Sequence, residues 1–301
     1  MAKNGDVTRG LLLGMAGFAL LSCGDGIIKS TVDEWPASAV AALRYVFGLG
    51  GVALAVLLVE GRGALAVPRP WLQAARGAAV ATTSFAFFMA IRSMPLAEAT
   101  SIQFTSPMLT ALLSVPLLGE RAPRSAWIAT GAAFVGVLIV LRPEVGRLGW
   151  AVGWPLLAAL GMALLMIANR RAAGVASPLA MQYLIALFAA PILIALAAAG
   201  HVTGGEAMRV SMPDWSVISR CALVGGSATM AHLLIYMATV RASAAVVAPT
   251  IYVQLLTALA VGALAFGDRP EPVALLGALV IIGSGVYFWR SQQPRRTLPA
   301  A

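Results

Sequence analysis

Few side chains in this sequence can do chemistry, and most of them stand inside long apolar runs. Asp25 and Lys29 are four residues apart near the end of the first run, Arg44 lies seven residues into the second, and Glu98 opens the fourth. His232 and Tyr236 are four apart in the eighth. Amides and rings recur at similar depths of two runs: Gln103 with Phe104, and Tyr252 with Gln254, each near a proline, Pro107 or Pro249. An ionisable group in an apolar solvent costs about 3 kcal/mol or more, so such groups face a protein interior, pair with one another and mark a path or a clamp.

Each residue carries two readings. Arg44 is a gate or a contact for an anionic substrate, or else a structural clamp on carbonyls. Asp25 and Lys29 share a helix face; Asp25 binds a proton or an amine, or the two form a pair that snorkels to the interface. Glu98 couples protons, or simply complements the positive end of a helix. His232, with Tyr236 on the same face, shuttles protons or hydrogen-bonds a substrate, or packs. A proline frees a backbone carbonyl, and freed groups are re-satisfied or line a cavity. Gln103, Phe104, Tyr252 and Gln254 therefore suit an uncharged polar cavity with aromatic walls, or hydrogen bonds between helices worth about 1 kcal/mol each. Phe88 and Met162 are candidates for an apolar part of the same site, or core.

Enzymatic chemistry finds no support. The two histidines are 31 positions apart and form no His-Glu-x-x-His zinc motif. No base is placed beside a candidate nucleophile, and the glycine-rich pieces lack the strand and lysine of a phosphate loop. Cys23 and Cys221 suggest neither a metal site nor a disulfide framework. The sequence reads as a non-enzyme with no cofactor and no metal. Its expected partners are a small-molecule substrate and the lipid bilayer, with the chain acting as a monomer and no nucleic acid.

The elements that position these residues follow from composition. Of 301 residues, 60% are hydrophobic and 11% charged, where a soluble domain carries about 25% charged. Such a chain needs an apolar solvent. Ten runs are long enough to cross ~30 Å of hydrocarbon as helix: Gly10 to Ile28, Ala37 to Val59, Trp71 to Ile91, Leu96 to Leu118, Ser125 to Leu141, Trp150 to Ala168, Pro178 to Ala199, Trp215 to Val240, Ala244 to Phe266, and Pro272 to Trp289. Ser22-Cys23 looks like a lipoprotein cleavage site, but the apolar run continues to Ile28, so the segment reads as the first span. With the N-terminus inside, 13 Lys and Arg fall on the inner side, Arg76 among them, and 7 on the outer, with Arg44 within a span. That bias puts both termini in the cytoplasm of a multi-pass inner-membrane protein.

The fourth run ends in Gly119-Glu120-Arg121 and the ninth in Gly267-Asp268-Arg269. At an offset of 148, Phe104 overlays Tyr252. Each half, residues 1–145 and 146–301, then holds five spans, and an odd number inserts the second half upside down. The expected fold is an all-α membrane protein of ten transmembrane helices in two inverted-topology five-helix repeats, a plan of secondary transporters with the substrate near the midplane.

The passages AIRSMPLAEATSIQFTSPMLTALLSVPLLGERAP, residues 90–123, and MATVRASAAVVAPTIYVQLLTALAVGALAFGDRPEP, residues 237–272, resemble the signature regions of EamA-type transporters of the drug/metabolite transporter superfamily. Lys29 closing the first span and Arg44 within AALRYVFG match as well, while Asp268 departs from the usual Glu. The resemblance implies a transporter of small polar metabolites. Among members the chain looks like exporters of amino acids, the neutral and aromatic ones; the alternative cargo is a vitamin, nucleobase or cationic drug. It identifies the scaffold and not the cargo.

Overall fold

The computed structural model describes residues 4–32, 34–93, 96–120, 123–141, 149–205, 208–257, 260 and 272–291. Every long element in them is a helix, as the bilayer demands: without water, backbone N–H and C=O groups must be satisfied within the segment. In chain order they are α1 (Asn4–Val32), α2 (Ala37–Val59), α3 (Pro70–Ser93), α4 (Leu96–Gln103), α5 (Ser106–Leu118), α6 (Arg124–Leu141), α7 (Gly153–Arg171, after a 3-10 turn), α8 (Pro178–Thr203), α9 (Trp215–Arg241), α10 (Ala244–Thr257) and α11 (Pro272–Ser291).

Six of the described helices are long and apolar enough to cross a membrane: those within α1, α2, α3, α7, α8 and α9. Four shorter apolar helices, Ser106–Leu118, Arg124–Ile139, Ala244–Thr257 and Leu275–Phe288, accompany them. Trp71, Trp150 and Trp215 stand exposed at or just before the starts of α3, α7 and α9, where an indole suits the membrane–water interface.

The fourth apolar run is not one helix. It breaks at Phe104-Thr105 because Pro107, in the first turn of α5, has no N–H to continue the ladder of α4. Met108 N–H turns to Thr105 O at 3.0 Å, which leaves the Phe104 carbonyl for another donor. The ninth run behaves alike: α10 starts as α-helix over Ala244–Val247 and tightens to 3-10 geometry over Ala248–Tyr252, around Pro249. Arg121, Gly267, Asp268 and Arg269 lie outside the described residues, as do the side chains of Lys29 and Glu98. The Asp25–Lys29 pair and the role of Glu98 therefore have no structural account.

The helices pack across the two halves of the chain. α1 lies on α9, α3 on α7 and α8, α2 on α8 and α9, α5 on α7, and α6 on α11. Glycines set the closest crossings, because small residues let backbones meet. A Cβ on Gly225 of α9 would sit 2.7 Å from the Arg44 carbonyl of α2, and one on Gly77 of α3 would sit 3.0 Å from the Ala189 nitrogen of α8. Likewise a Cβ on Gly17 of α1 would meet the Ala231 carbonyl of α9 at 2.8 Å, and one on Gly161 of α7 the Ala79 carbonyl of α3 at 2.9 Å.

Candidate functional site

The described polar residues in the bundle gather in three places. The first surrounds Arg44. It starts seven residues into α2, roughly 10 Å along the axis, and is 6% exposed. Its guanidinium lies 5.1 Å from the Tyr45 ring centre and 5.3 Å from that of Phe88, and Nη2 donates to Ser84 Oγ at 3.1 Å. Ser84 also shares a hydrogen bond with the Tyr45 hydroxyl at 3.2 Å. Arg44 and His232 line one small cavity with Gln182 of α8. The close α2–α9 crossing at Gly48 and Gly225 forms its wall, so glycine places Arg44 where a larger residue would hold the helices apart.

Asp25 stands at the level of Arg44, because α1 runs antiparallel to α2 and Asp25 is seven residues from its end. Gln254 Nε2 donates to Asp25 Oδ2 at a long 3.4 Å, and Ser22 Oγ donates to the Gln254 carbonyl at 2.9 Å. Asp25, Gln254 and His232 are each half-buried although they sit in or beside the interior of the bundle.

The second place lies toward the other face. Arg76 of α3, assigned to the inner loops by the charge count, is fully buried within the helix. Its Nε donates to Asn169 Oδ1 at 2.8 Å, and its Nη1 to Gln73 Oε1 at 2.7 Å and to the Met181 carbonyl at 3.1 Å. The Tyr236 ring lies 5.2 Å beneath it, and the Tyr236 hydroxyl donates to the Ala172 carbonyl at 3.1 Å. Just beyond, Arg170 pairs with Glu120 at 2.8 Å.

The third is the junction of the two proline-marked helices, where Phe104 and Tyr252 are both buried and touch. Gln103 is buried beside it at the end of α4, and Met162 is core on α7. An apolar groove of ≈ 280 Å³ between α1, α6, α10 and α11 includes Pro249 and Tyr252 in its lining.

The structure thus joins Asp25 with Gln254, Arg44 with Phe88 and His232, Tyr236 with Arg76, and Phe104 with Tyr252, and does not gather the candidates around one point. Sequence reading missed Gln182, Ser84, Arg76, Gln73 and Asn169. Gln182 carried a usable signal, an amide one turn into an apolar run. Arg76 lay near a helix start and was counted with the inner charges, and Asn169 lay just past the end of the sixth apolar run. No group of three or more His, Cys, Asp or Glu that could hold a metal occurs among the described residues.

Comparison with known proteins decides the class. The EamA-like transporter family matches the chain twice, over residues 8–142 and 149–289. The chain belongs to this family. It is therefore a small-metabolite transporter type with two EamA units, set in a membrane by several apolar helices. It is 26% identical over 282 residues to a riboflavin transporter of Rhizobium johnstonii, covering 91% of this chain and 90% of that one. It is 26% identical over 256 residues, 84% of each chain, to an S-adenosylmethionine uptake transporter of Rickettsia bellii. A pseudopaline exporter of Pseudomonas aeruginosa matches at 28% over 137 residues, 44% of this chain and 46% of that one. These names do not include an exporter of aromatic amino acids. A solved structure 20% identical superimposes with a TM-score of 0.75, covering 95% of this EamA chain and 99% of its own, and shares its fold.

Proposed function

We propose that this EamA protein is a secondary transporter that works by alternating access between two inverted five-helix halves, 1–145 and 146–301. The carrying observation is the exchange of helix crossings. Gly77 on α3 approaches α8 as Gly225 on α9 approaches α2, and Gly17 on α1 approaches α9 as Gly161 on α7 approaches α3. Gly77 and Gly225 are separated by 148 positions, the offset that relates Phe104 to Tyr252. In this reading the four shorter apolar helices, with α4 completing α5, supply the remaining spans of ten.

The path of the cargo runs from Asp25, Arg44 and Gln254 past His232 toward Arg76 and Tyr236. Phe88 and Met162 form its apolar wall, and Gln103, Phe104 and Tyr252 lie where the proline-marked helices meet. Amino acids, neutral or aromatic, moved outward are the leading cargo. A vitamin is the second, favoured by the riboflavin-named relative. Uptake into proteoliposomes of labelled tryptophan, phenylalanine and riboflavin, with and without a pH gradient, tests this. Flux of none above empty liposomes sinks the transporter reading; a flux indifferent to the gradient sinks proton coupling.

The inner membrane of a bacterium, with both termini cytoplasmic, is the proposed location. A reporter enzyme that needs the periplasm should be inactive when fused after Ala301 and active when fused after Gly204.

A further inference from the structure

Two arginines are buried among the described residues, Arg44 and Arg76, and they are held differently. Arg76 makes three hydrogen bonds, to Asn169, Gln73 and the Met181 carbonyl, and only its Nη2 is left without a partner. That is what a structural clamp requires, since a guanidinium has five N–H donors and no acceptor. Arg44 makes one hydrogen bond, to Ser84. Its Nε has no partner, and the Oε1 of Gln182, 3% exposed on the facing helix α8, has none either. Among the described residues, the carboxylates in ion pairs are Glu120 and Glu34, bound to Arg170 and Arg220. Asp25 is hydrogen-bonded by Gln254 instead and forms no ion pair with Arg44.

Both unpartnered atoms belong to residues that line the same cavity, of ≈ 20 Å³, a volume that admits about one water-sized group, so the lining side chains must part for a larger headgroup to enter. Two aromatic rings fix the guanidinium plane, so little ordering remains to be done when a ligand arrives. The cavity is lined by a cation whose Nε–H is unpartnered and by an amide whose oxygen is free to accept. The complementary ligand end is a carboxylate next to an N–H donor.

We propose that Arg44 and Gln182 form the subsite that reads a carboxylate-bearing end of the cargo, the carboxylate on Arg44 and the neighbouring N–H group on Gln182 Oε1. This rests on the transporter reading and narrows it to anionic or zwitterionic carboxylates, excluding plain cations. Gln182 is then a specificity residue, and α8 reports the bound headgroup to α2.

The test uses the purified full-length protein in detergent and matched pairs that differ by the carboxylate: tryptophan and tryptamine, phenylalanine and phenethylamine, histidine and histamine. The carboxylate member of at least one pair raises the melting temperature, its amine does not, and Arg44→Gln abolishes the response. Gln182→Glu is the decisive variant. Its new carboxylate occupies Arg44, so the unliganded protein melts higher while the ligand response disappears. A purely structural Arg44 would give higher melting with the response retained. Equal response to the amines, no response to any carboxylate, or a response surviving in Gln182→Glu overturns the assignment. Binding without flux in proteoliposomes overturns transport and keeps the subsite; flux without carboxylate binding does the reverse.

Discussion

The Tyr252 hydroxyl donates to the Phe104 carbonyl at 3.2 Å, and the two rings meet edge to face with centroids 5.6 Å apart. The accepting carbonyl is the one left over when Met108 N–H turned to Thr105. The same hydroxyl lies 3.3 Å from the Thr130 carbonyl on α6. The break before Pro107 thus creates an acceptor, and the helix that carries the second proline supplies its donor. Tyr252→Phe keeps the ring and removes the donor. Hydrogen bonds between membrane helices are worth roughly 0.6–1.7 kcal/mol, so a loss of about 1 kcal/mol is expected, read from the melting temperature in detergent. Phe104→Ala opens a cavity and should cost about 3 kcal/mol. Unchanged stability with a raised KM for Tyr252→Phe would mean that the ring faces the cargo and does not clasp α5.

Close crossings make a second prediction. Gly225→Ala places a methyl group 2.7 Å from the Arg44 carbonyl, and backbone cannot step aside as a side chain would. Gly226, its neighbour, has nothing within 4 Å. Overpacking typically costs about 1–3 kcal/mol, so alanine at 225 should destabilise by that amount and alanine at 226 should be neutral or slightly stabilising. Equal melting temperatures for the two variants would refute the crossing.

A third concerns the inner cluster. Asn169→Leu leaves Arg76 Nε without its 2.8 Å acceptor, and a buried donor deprived of its partner costs about 1–3 kcal/mol. Replacing both residues, Arg76→Met with Asn169→Leu, removes the charge along with its need. The double variant should therefore be less destabilised than the sum of the single ones, a positive coupling in a double-mutant cycle. Strict additivity would show that the two side chains do not depend on each other.

The apolar runs were legible because the bilayer makes hydrophobicity nearly uniform along a span, and α2 falls on its expected bounds of Ala37–Val59. Family membership was legible from residues 90–123 and 237–272, since proline, glycine and charge at fixed spacing report backbone geometry. Which polar residues meet was less so. Residues four apart share a face, but nothing in a sequence says that Gln182 and Arg44 line one cavity, because that depends on how three separate helices, α2, α8 and α9, cross. Arg76 misled for a different reason. Six residues from a helix start, a side chain reaches the interface or the interior equally well, and the acceptors Gln73 and Asn169 that hold it inside are themselves unremarkable near helix ends.

The last prediction tests whether the face carrying α5, α7 and α9 ends is held shut. Arg170 Nε pairs with Glu120 at 2.8 Å, and its Nη1 reaches the Thr239 and Val240 carbonyls at 3.2 and 3.3 Å. One side chain therefore ties three helix ends together. The pair is partly open to solvent, with side-chain exposures of 29% and 28%, so screening limits it to about 0–1 kcal/mol. A stability assay would barely register its loss, but an equilibrium between closed and open faces shifts up to about fivefold for 1 kcal/mol. In a background with Cys23 and Cys221 replaced, Thr239→Cys is buried at this face. Its labelling by a membrane-impermeant maleimide should quicken up to about fivefold when Glu120→Gln is added, with the melting temperature nearly unchanged. Labelling that stays equally slow would mean that the ion pair decorates the face without keeping it closed.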